Sequence, residues 1–431
     1  RYAQLVSSQA SLADLQKALH PDEAFVKLLL LDSRSYGMLV TAQAAKPYAI
    51  DLTRGEAAAA VLRLRSTVEP EDVLPPFDVT GSYSLFRTLF GPVAQEVLAA
   101  RRLIYGPDGP LISLPIAAFV TADPSAIVQA AAPGKDPDYR KIAWLGARAD
   151  SALVLSAASF LQSRAFPPSR ARHSFLGFAN PETPARSNPQ AYASTTRRPI
   201  DLRSGRDGRD PCEYTRLALL EMPPLPDTAD EVRAVERSIG GLGGQIVTGA
   251  AFTDAGVKAR GDLSDYRVIY FATHGLLPQP SACLPEPALM TSVGAGGSDG
   301  LLDTSEILDL KLDADLVVLS ACDTGGAGGD AVDTGLQGGG EALGGLARAV
   351  IYAGGRALIV SHWSVDSNAT VRLMSAMFSA KAATTAEALQ QAEATLQQSE
   401  AWSHPYFWAP FTIVGDGASP MPNAASQIAA R

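Results

Sequence analysis

Two short motifs place chemically reactive side chains directly after apolar runs. The segment VIYFATHG, residues 268 to 275, ends at His274 and Gly275, and the segment LVVLSACDTG, residues 316 to 325, contains Cys322 just after its apolar part. A free thiol has a pKa of about 8.5, and a neighbouring imidazole raises its thiolate fraction and returns a proton to a leaving amine. The two residue types therefore form a candidate nucleophilic dyad, with Cys322 as nucleophile and His274 as acid and base.

The elements around these motifs predict a sheet that can bring them together. From residue 170 to 417, helical patterns alternate with short strands that are continuous Val, Ile and Leu runs. This alternation indicates an α/β domain whose mostly parallel sheet is covered on both faces. Ligands bind at the carboxyl ends of such strands, and neighbouring strands lie only about 4.8 Å apart, so residues that follow them can meet.

A dyad of this kind also needs donors for the oxyanion that develops on the substrate. Gly275 follows the histidine and has no side chain to block a close approach, so its N–H is a candidate donor together with the backbone N–H of Cys322.

The first part of the chain has its own patterns. Strand-like runs occupy residues 25 to 52, helical spacing occupies 55 to 66 and 83 to 101, residues 102 to 120 predict a strand, a turn and a second strand, and 151 to 164 predict a helix. Two prolines at 167 and 168 then precede a new strand at 173 to 180, which places a domain boundary near Pro167.

Composition limits the class of protein. A chain of 431 residues with 46% hydrophobic residues should fold as a globular protein of roughly two or three domains. A net charge of −9 argues against direct nucleic-acid binding, and no apolar run reaches the roughly 20 residues that would span a membrane. Three cysteines cannot all pair, which favours a reducing, cytoplasmic compartment. Cys212 and Cys283 have no metal-ligand spacing, so we expect ordinary loop thiols and neither a metal nor a cofactor.

An arginine-rich segment separates the two parts. Six arginines between residues 186 and 209 lie among Pro, Ser, Gly and Asp without hydrophobic periodicity, which predicts a long exposed loop. Such a loop is a candidate self-cleavage site. A further glycine-rich stretch, residues 325 to 344, lacks the Gly-Lys-Ser/Thr ending of a phosphate loop and is better explained as a loop that orders on activation.

Five motifs in order resemble the CHAT domain, a caspase-like relative of separases, gingipains and metacaspases within clan CD. They are YFATHG, DGLL with SEI, ADLVVLSACDTG, GGEALGGLARAVIYAGGRALIVSHWSVD and HPYFWAPFTIVGD. The separation of His274 from Cys322 also matches the roughly 50 residues by which the histidine precedes the cysteine in caspases. The resemblance implies a caspase-like three-layer α/β/α sandwich, preceded by a degenerate caspase-like half. On that basis we divide the chain into residues 1–166, a linker strand and loop at 167–226, and a catalytic half at 227–431.

The resemblance also implies an activity and partners. It implies a bacterial cysteine endopeptidase that acts on protein or peptide substrates through His274 and Cys322, under the control of an activator or of upstream tetratricopeptide repeats, which would precede Arg1. The alternative is a catalytically silent scaffold with the same fold. An α/β-hydrolase is disfavoured because the chain has no Gly-x-Ser-x-Gly elbow.

Four further residues are predicted to line the substrate pocket. Asp323 could select a basic residue or make a structural hydrogen bond. His362, where the family usually has leucine, could share the role of base or line the pocket. Trp363 and Asp366 could form a wall of the substrate groove, or they could be a core tryptophan and a helix N-cap.

Overall fold

The computed structural model describes residues 10–70, 73–132, 135–182, 222–240, 243–278, 284–293, 298–321 and 338–422. Its strands are β1 (Glu23–Leu29), β2 (Ser35–Val40), β3 (Ala45–Ile50), β4 (Arg102–Gly106), β5 (Asp150–Leu153), β6 (His173–Ala179), β7 (Gln245–Thr248), β8 (Tyr266–Ala272), β9 (Gly275–Leu276), β10 (Ala288–Met290), β11 (Leu301–Asp303), β12 (Leu316–Ser320), β13 (Ala357–Ser361) and β14 (Phe411–Gly415).

The described helices are α1 (Leu12–Ala18), α2 (Arg54–Arg65), α3 (Val79–Phe90), α4 (Ala94–Ala99), α5 (Ser125–Gln129), α6 (Ala157–Ala165), α7 (Pro226–Ile239), α8 (Asp254–Lys258), α9 (Thr304–Asp309), α10 (Gly338–Ala353), α11 (Ser367–Ser379), α12 (Thr385–Gln397) and α13 (Pro405–Trp408). Within the described ranges, no helix combines the length and the apolar character that a membrane span requires.

Among the described strands, 11 form one sheet in the order β3-β2-β1-β4-β5-β14-β13-β12-β8-β6-β7. Strands β1, β4, β5 and β14 form a first parallel block, and β13, β12, β8, β6 and β7 form a second parallel block. The two blocks meet where β14 pairs antiparallel with β13. A short separate sheet, β11-β10-β9, follows the end of β8.

Helices cover both faces of the sheet, so the predicted three-layer α/β/α architecture is confirmed. On β8, Val268 and Tyr270 face a cluster that contains residues of α2, α3, α7, α11 and α12. The alternate residues Ile269 and Phe271 face a second cluster that contains residues of α8, α9 and α10. Because both sets of side chains are buried, the strand is continuously apolar from Val268 to Ala272 rather than alternating, as expected of a parallel strand between two helical layers.

The crossover from β12 through α10 to β13 ends at a position that only glycine fits. Gly354 has φ of 117°, and a Cβ atom there would lie 2.1 Å from the Leu312 carbonyl oxygen. The chain can therefore leave α10 and enter β13 beside β12 without a steric clash.

The structure corrects two expectations for the first part of the chain. Residues 151 to 164 were predicted as one helix, but they contain the end of β5 and then most of α6, which begins after the N-cap Ser156. The second strand expected before residue 120 is a pair of 3₁₀ turns, Gly109–Ser113 and Ile116–Ala118. Proline at 110 and 115 supplies no N–H to a strand ladder, which explains the difference.

A buried ionic cluster joins the two parts of the sequence. Arg102 on β4 donates to both carboxylate oxygens of Asp150, at 2.5 and 3.0 Å, and to the Thr384 hydroxyl at 2.6 Å. Arg164 on α6 bonds Glu23 at 3.0 Å and Asp416 at 2.5 Å. The residues before 166 thus share a sheet and ion pairs with the residues after 227, and the division into 1–166, 167–226 and 227–431 stays a prediction.

His404 makes a further contact between these parts, and its environment predicts a pH effect. Its Nε2 lies 3.1 Å from the Pro75 carbonyl oxygen, while its Nδ1 accepts a hydrogen bond from the Tyr406 N–H at 3.1 Å. The ring is therefore neutral, and burial lowers its pKa from 6.5 to about 4 despite the bond to Pro75. Between these two values the unfolded chain binds a proton that the native state excludes.

We expect this histidine to make the protein less stable as the pH falls. Above pH 6.5 the ring is neutral in both states and does not lower the free energy of unfolding. Between pH 6.5 and pH 4 the free energy of unfolding falls progressively, by about 3 kcal/mol in total. Urea unfolding at several pH values should show a smaller loss in His404→Asn, which keeps a capping oxygen but does not titrate. Identical pH profiles for the two proteins would contradict the assignment.

Candidate active site

The carboxyl ends of β8 and β12 lie side by side and in register. Ala272 pairs with Ser320 in the parallel ladder, and the Thr273 N–H donates to the Ser320 carbonyl oxygen at 3.3 Å. His274 is the second residue after Ala272, and Cys322 is the second residue after Ser320. The segments that follow β8 and β12 therefore leave the sheet at the same level. We call this carboxyl edge of the second parallel block the site edge.

The His274 side chain is held in one orientation by a main-chain carbonyl. The residue is 3% exposed, and its Nε2 lies 2.9 Å from the Pro223 carbonyl oxygen. Because a carbonyl oxygen can only accept, Nε2 carries the hydrogen in this bond. In the neutral imidazole, Nδ1 then holds the lone pair that can take a proton, which is the state a general base requires.

Sequence reasoning did not identify Pro223, whose position depends on the start of α7. Pro226 occupies the first turn of that helix, where a missing N–H costs no hydrogen bond. The Thr228 hydroxyl donates to the Leu225 carbonyl and accepts from the Asn180 N–H at 2.9 Å, which ties the start of α7 to the end of β6.

The segment before α7 is also anchored by apolar packing. Met222, which precedes Pro223, is buried in a small cluster with Leu276 and Met290 from the sheet that follows His274. The Pro-rich sequence MPPLP was the available signal of a rigid segment here, but it does not indicate which carbonyl would contact the histidine.

The backbone around His274 is fixed by β10. The Met290 N–H donates to the His274 carbonyl oxygen at 2.9 Å, and the Thr273 hydroxyl donates to the Met290 carbonyl oxygen at 2.6 Å. Gly275 pairs with Leu289 in this antiparallel ladder. Because the hydrogen bond joins the adjacent residues Met290 and His274, Gly275 and Leu289 form a non-hydrogen-bonded pair of the ladder. The Gly275 N–H therefore points away from β10.

His362 follows β13 at the same edge but belongs to the other face of the sheet. By strand alternation it lies with Leu358 and Val360, whereas His274 follows the β8 residues that face α7. The His362 side chain is fully buried, and its Nε2 lies 3.0 Å from the Thr412 hydroxyl. The structure thus brings His362 to the edge without placing it on the face of His274.

Trp363 and Asp366 have structural roles that were foreseen as alternatives. Trp363 is 1% exposed, and its Nε1–H donates to the Tyr406 carbonyl oxygen at 3.1 Å, so it is a core tryptophan. Asp366 is the N-cap of α11 and accepts from the Ala369 N–H at 2.9 Å. Asp366 is only half-buried, and a part for either residue in a substrate groove stays a prediction.

Several predicted residues lie outside the described residues. These are Cys322, Asp323, Cys212, Cys283, the arginine-rich segment between 186 and 209, and most of the glycine-rich stretch. Their predicted roles stay predictions, and so does the oxyanion role of Gly275, whose position is described.

Comparison with known proteins identifies the family. A family model described as the CHAT domain matches residues 82–416, so the chain belongs to the CHAT domain family. Among curated proteins, tetratricopeptide repeat protein 28 of Mus musculus is 33% identical over 117 residues. That match covers 27% of this chain and 4% of the mouse protein, so this chain corresponds to a small part of that relative.

Solved structures that match this chain at low identity include two chains. Gingipain R, described as an Arg-specific cysteine proteinase, has a TM-score of 0.41 at 10% identity. The match covers 85% of this chain and 75% of the gingipain chain. A chain of the Saccharomyces cerevisiae separase-securin complex has a TM-score of 0.44 at 8% identity. That match covers 93% of this chain and 30% of the chain from the complex. At these TM-scores the likeness is too distant to transfer the role of any residue.

Proposed function

We propose that the protein is a cysteine endopeptidase in which His274 is the general base and Cys322 the nucleophile. The observation that carries the proposal is the bond from the His274 Nε2–H to the Pro223 carbonyl, at the end of a strand in register with the strand that precedes Cys322. Membership of the CHAT domain family supports it.

In the proposed reaction, the His274 ring accepts a proton and gives one back in each of two stages, acylation of Cys322 and hydrolysis of the thioester. Nδ1 of His274 takes the thiol proton, and the Cys322 thiolate attacks the carbonyl carbon of the substrate peptide bond. The N–H groups of Gly275 and Cys322 would stabilise the oxyanion. The protonated imidazole gives its proton to the leaving amine as the C–N bond breaks, which leaves a thioester. The same ring then takes a proton from a water molecule as the hydroxide attacks the thioester carbonyl, and it returns that proton to the Cys322 sulfur as the C–S bond breaks. Pro223 stabilises the imidazolium through its carbonyl dipole.

The substrate pocket is a separate part of the proposal. Asp323 would favour a basic substrate residue, and Asp366 would form part of the wall of the substrate groove. His362 and Trp363, whose side chains are buried, would support the wall of the pocket from behind. The half-buried position of Asp366, beside the first turn of α11, supports its inclusion.

We also propose that activity depends on a protein partner and takes place in the cytoplasm. The match to a tetratricopeptide repeat protein supports an association with such repeats, either in the same polypeptide or in an activator. The low cysteine count supports a reducing compartment, and a bacterial source stays a prediction from the resemblance.

The proposal predicts peptide cleavage that requires one of the three cysteines. The purified chain, with and without Ca²⁺, should be incubated with a diverse peptide pool, and new termini should be mapped by mass spectrometry. Cys322→Ala should abolish these products, whereas Cys283→Ala should retain them. If the arginine-rich segment is a self-cleavage site, fragments cut between residues 186 and 209 should appear with the wild type and not with Cys322→Ala.

The alternative function is that of a catalytically silent scaffold. The mouse relative, described by its repeats rather than by an activity, is the observation that favours it. Equal peptide profiles for the wild type and Cys322→Ala, in the presence of lysate as a source of activator, would support the scaffold and contradict the peptidase.

A further inference from the structure

A buried arginine of α2 reaches the backbone of the site edge. The side chain of Arg65 is 5% exposed. Its Nη1 group donates to the Ser113 carbonyl oxygen at 2.9 Å and to the His362 carbonyl oxygen at 2.8 Å. Its Nη2 group pairs with Glu69 one turn later in the chain. Since both carbonyls accept from one planar nitrogen, their relative position is fixed by the guanidinium.

The carbonyl that Arg65 holds belongs to a turn that is fixed on its other side as well. The His362 N–H donates to the Pro410 carbonyl oxygen at 2.8 Å, just before β14. The next residue, Trp363, is anchored by its bond to the Tyr406 carbonyl. These bonds hold the first residues after β13 in place, and Arg65 supplies the charged hydrogen bond among them.

This turn is connected to the strand that leads to Cys322. The Ser361 hydroxyl, one residue before His362, donates to the Ala321 carbonyl oxygen. Ala321 is the residue that directly precedes Cys322, and Val360 pairs with Leu319 in the same ladder. A displacement of the His362 peptide would therefore shift the Ser361 hydroxyl. The Ala321 carbonyl group that accepts from this hydroxyl, directly before Cys322, would then move as well.

We propose that Arg65 is a positioning residue through which the part of the chain before residue 166 sets the geometry of the proposed nucleophile; this rests on the proposed function. Two features of the structure support it. The guanidinium binds backbone carbonyls, so its effect does not depend on the neighbouring side chains. Removing it would leave two buried carbonyl oxygens without this donor, and nearby backbone would shift to find another.

The experiment compares two buried arginines of the same part of the chain. Arg65→Lys keeps the charge but loses the planar fork. Arg102→Lys makes the same change in the ionic cluster on β4, where the described bonds of Arg102 are to Asp150, Glu23 and Thr384. Three quantities are measured below both unfolding midpoints: the iodoacetamide alkylation rate of Cys322, located by mass spectrometry, and kcat and KM for a peptide that the wild type cleaves.

We expect Arg65→Lys to lower the Cys322 alkylation rate and kcat on the order of tenfold, since a misplacement of about 1 Å can cost up to about 10²-fold. KM should change by less than about threefold, because substrate contacts are retained. Arg65→Met should lower both rates further, so that lysine acts as a partial rescue. Arg102→Lys should lower the unfolding midpoint while both rates stay within about twofold of the wild type.

The outcomes separate this inference from the proposed function. If the wild type cleaves peptide and both lysine variants have equal rates, the positioning role is wrong and the peptidase stands. A change in KM alone in Arg65→Lys would also overturn it. If the wild type cleaves nothing but its Cys322 alkylation falls in Arg65→Lys and not in Arg102→Lys, the positioning role stands and the proposed function fails.

Discussion

His274→Ala is expected to lower kcat/KM for peptide cleavage by about three orders of magnitude or more. General acid-base catalysis is worth about 10²- to 10⁴-fold, and this histidine would serve both in forming the thiolate and in protonating the leaving amine. The orientation of its ring supports this expectation, because the bond from Nε2 to Pro223 leaves Nδ1 as the basic nitrogen. The loss should appear mainly in kcat.

Two other histidines serve as comparisons. His173→Gln, at the amino end of β6 and so at the opposite edge of the sheet, should have nearly wild-type activity. His362→Ala should lose less activity than His274→Ala, because the His362 ring bonds Thr412 on the other face. An equal or larger loss in His362→Ala would assign the role of base to that residue.

Arg102→Met is expected to lower the free energy of unfolding by about 3 to 5 kcal/mol, the usual cost of breaking a buried ion pair by removing one partner. Arg102 is 8% exposed and holds Asp150 by two hydrogen bonds. Burial raises the pKa of Asp150 even with these bonds present. Without the guanidinium, the carboxyl group must remain charged and unpaired or be protonated, and both alternatives destabilise the native state.

The neighbouring residue provides the control. Arg101 also pairs with the later part of the chain, through Glu387 at 3.0 Å, but its side chain is 64% exposed. Arg101→Met should therefore change the free energy of unfolding by less than about 1 kcal/mol. Urea unfolding of both variants would measure the difference, and similar midpoints would show that the buried cluster does not stabilise the joined sheet as described.

The sequence was sufficient to predict the elements that carry the site. Residues 268–272 of β8 and 316–319 of β12 are uninterrupted apolar runs because both faces are covered, and each strand is followed by polar and glycine residues. That change of composition placed His274 and Gly275 at the carboxyl edge without knowledge of the sheet order. A buried parallel strand can be predicted from sequence because its continuous apolar run is a strong local signal.

The junction between the two parts could not be predicted in the same way. Strand β5 has only four residues and runs into α6 after a short turn, so its Leu and Val residues fitted a helical pattern equally well. Its partner β14 lies far away in the sequence, and their pairing is a tertiary choice. A short apolar run gives no periodicity that separates a strand from a helix.

The groups that support the site edge have no sequence signature. Pro223 acts through its carbonyl oxygen, which every residue type has. Arg65 is one of three arginines on α2, and the sequence of the helix does not single it out. Their roles come from contacts between distant segments. By contrast, the N-cap role of Asp366 was foreseen, because capping depends on the next three residues.

The most direct test of the proposed dyad is the alkylation rate of each cysteine as a function of pH. The peptidase account predicts that Cys322 reacts with iodoacetamide faster than Cys212 and Cys283 near neutral pH. It also predicts that His274→Ala removes this advantage and shifts the pH dependence toward that of an ordinary thiol, with a pKa of about 8.5. Equal rates and equal pH profiles for the three cysteines in the wild type would contradict it.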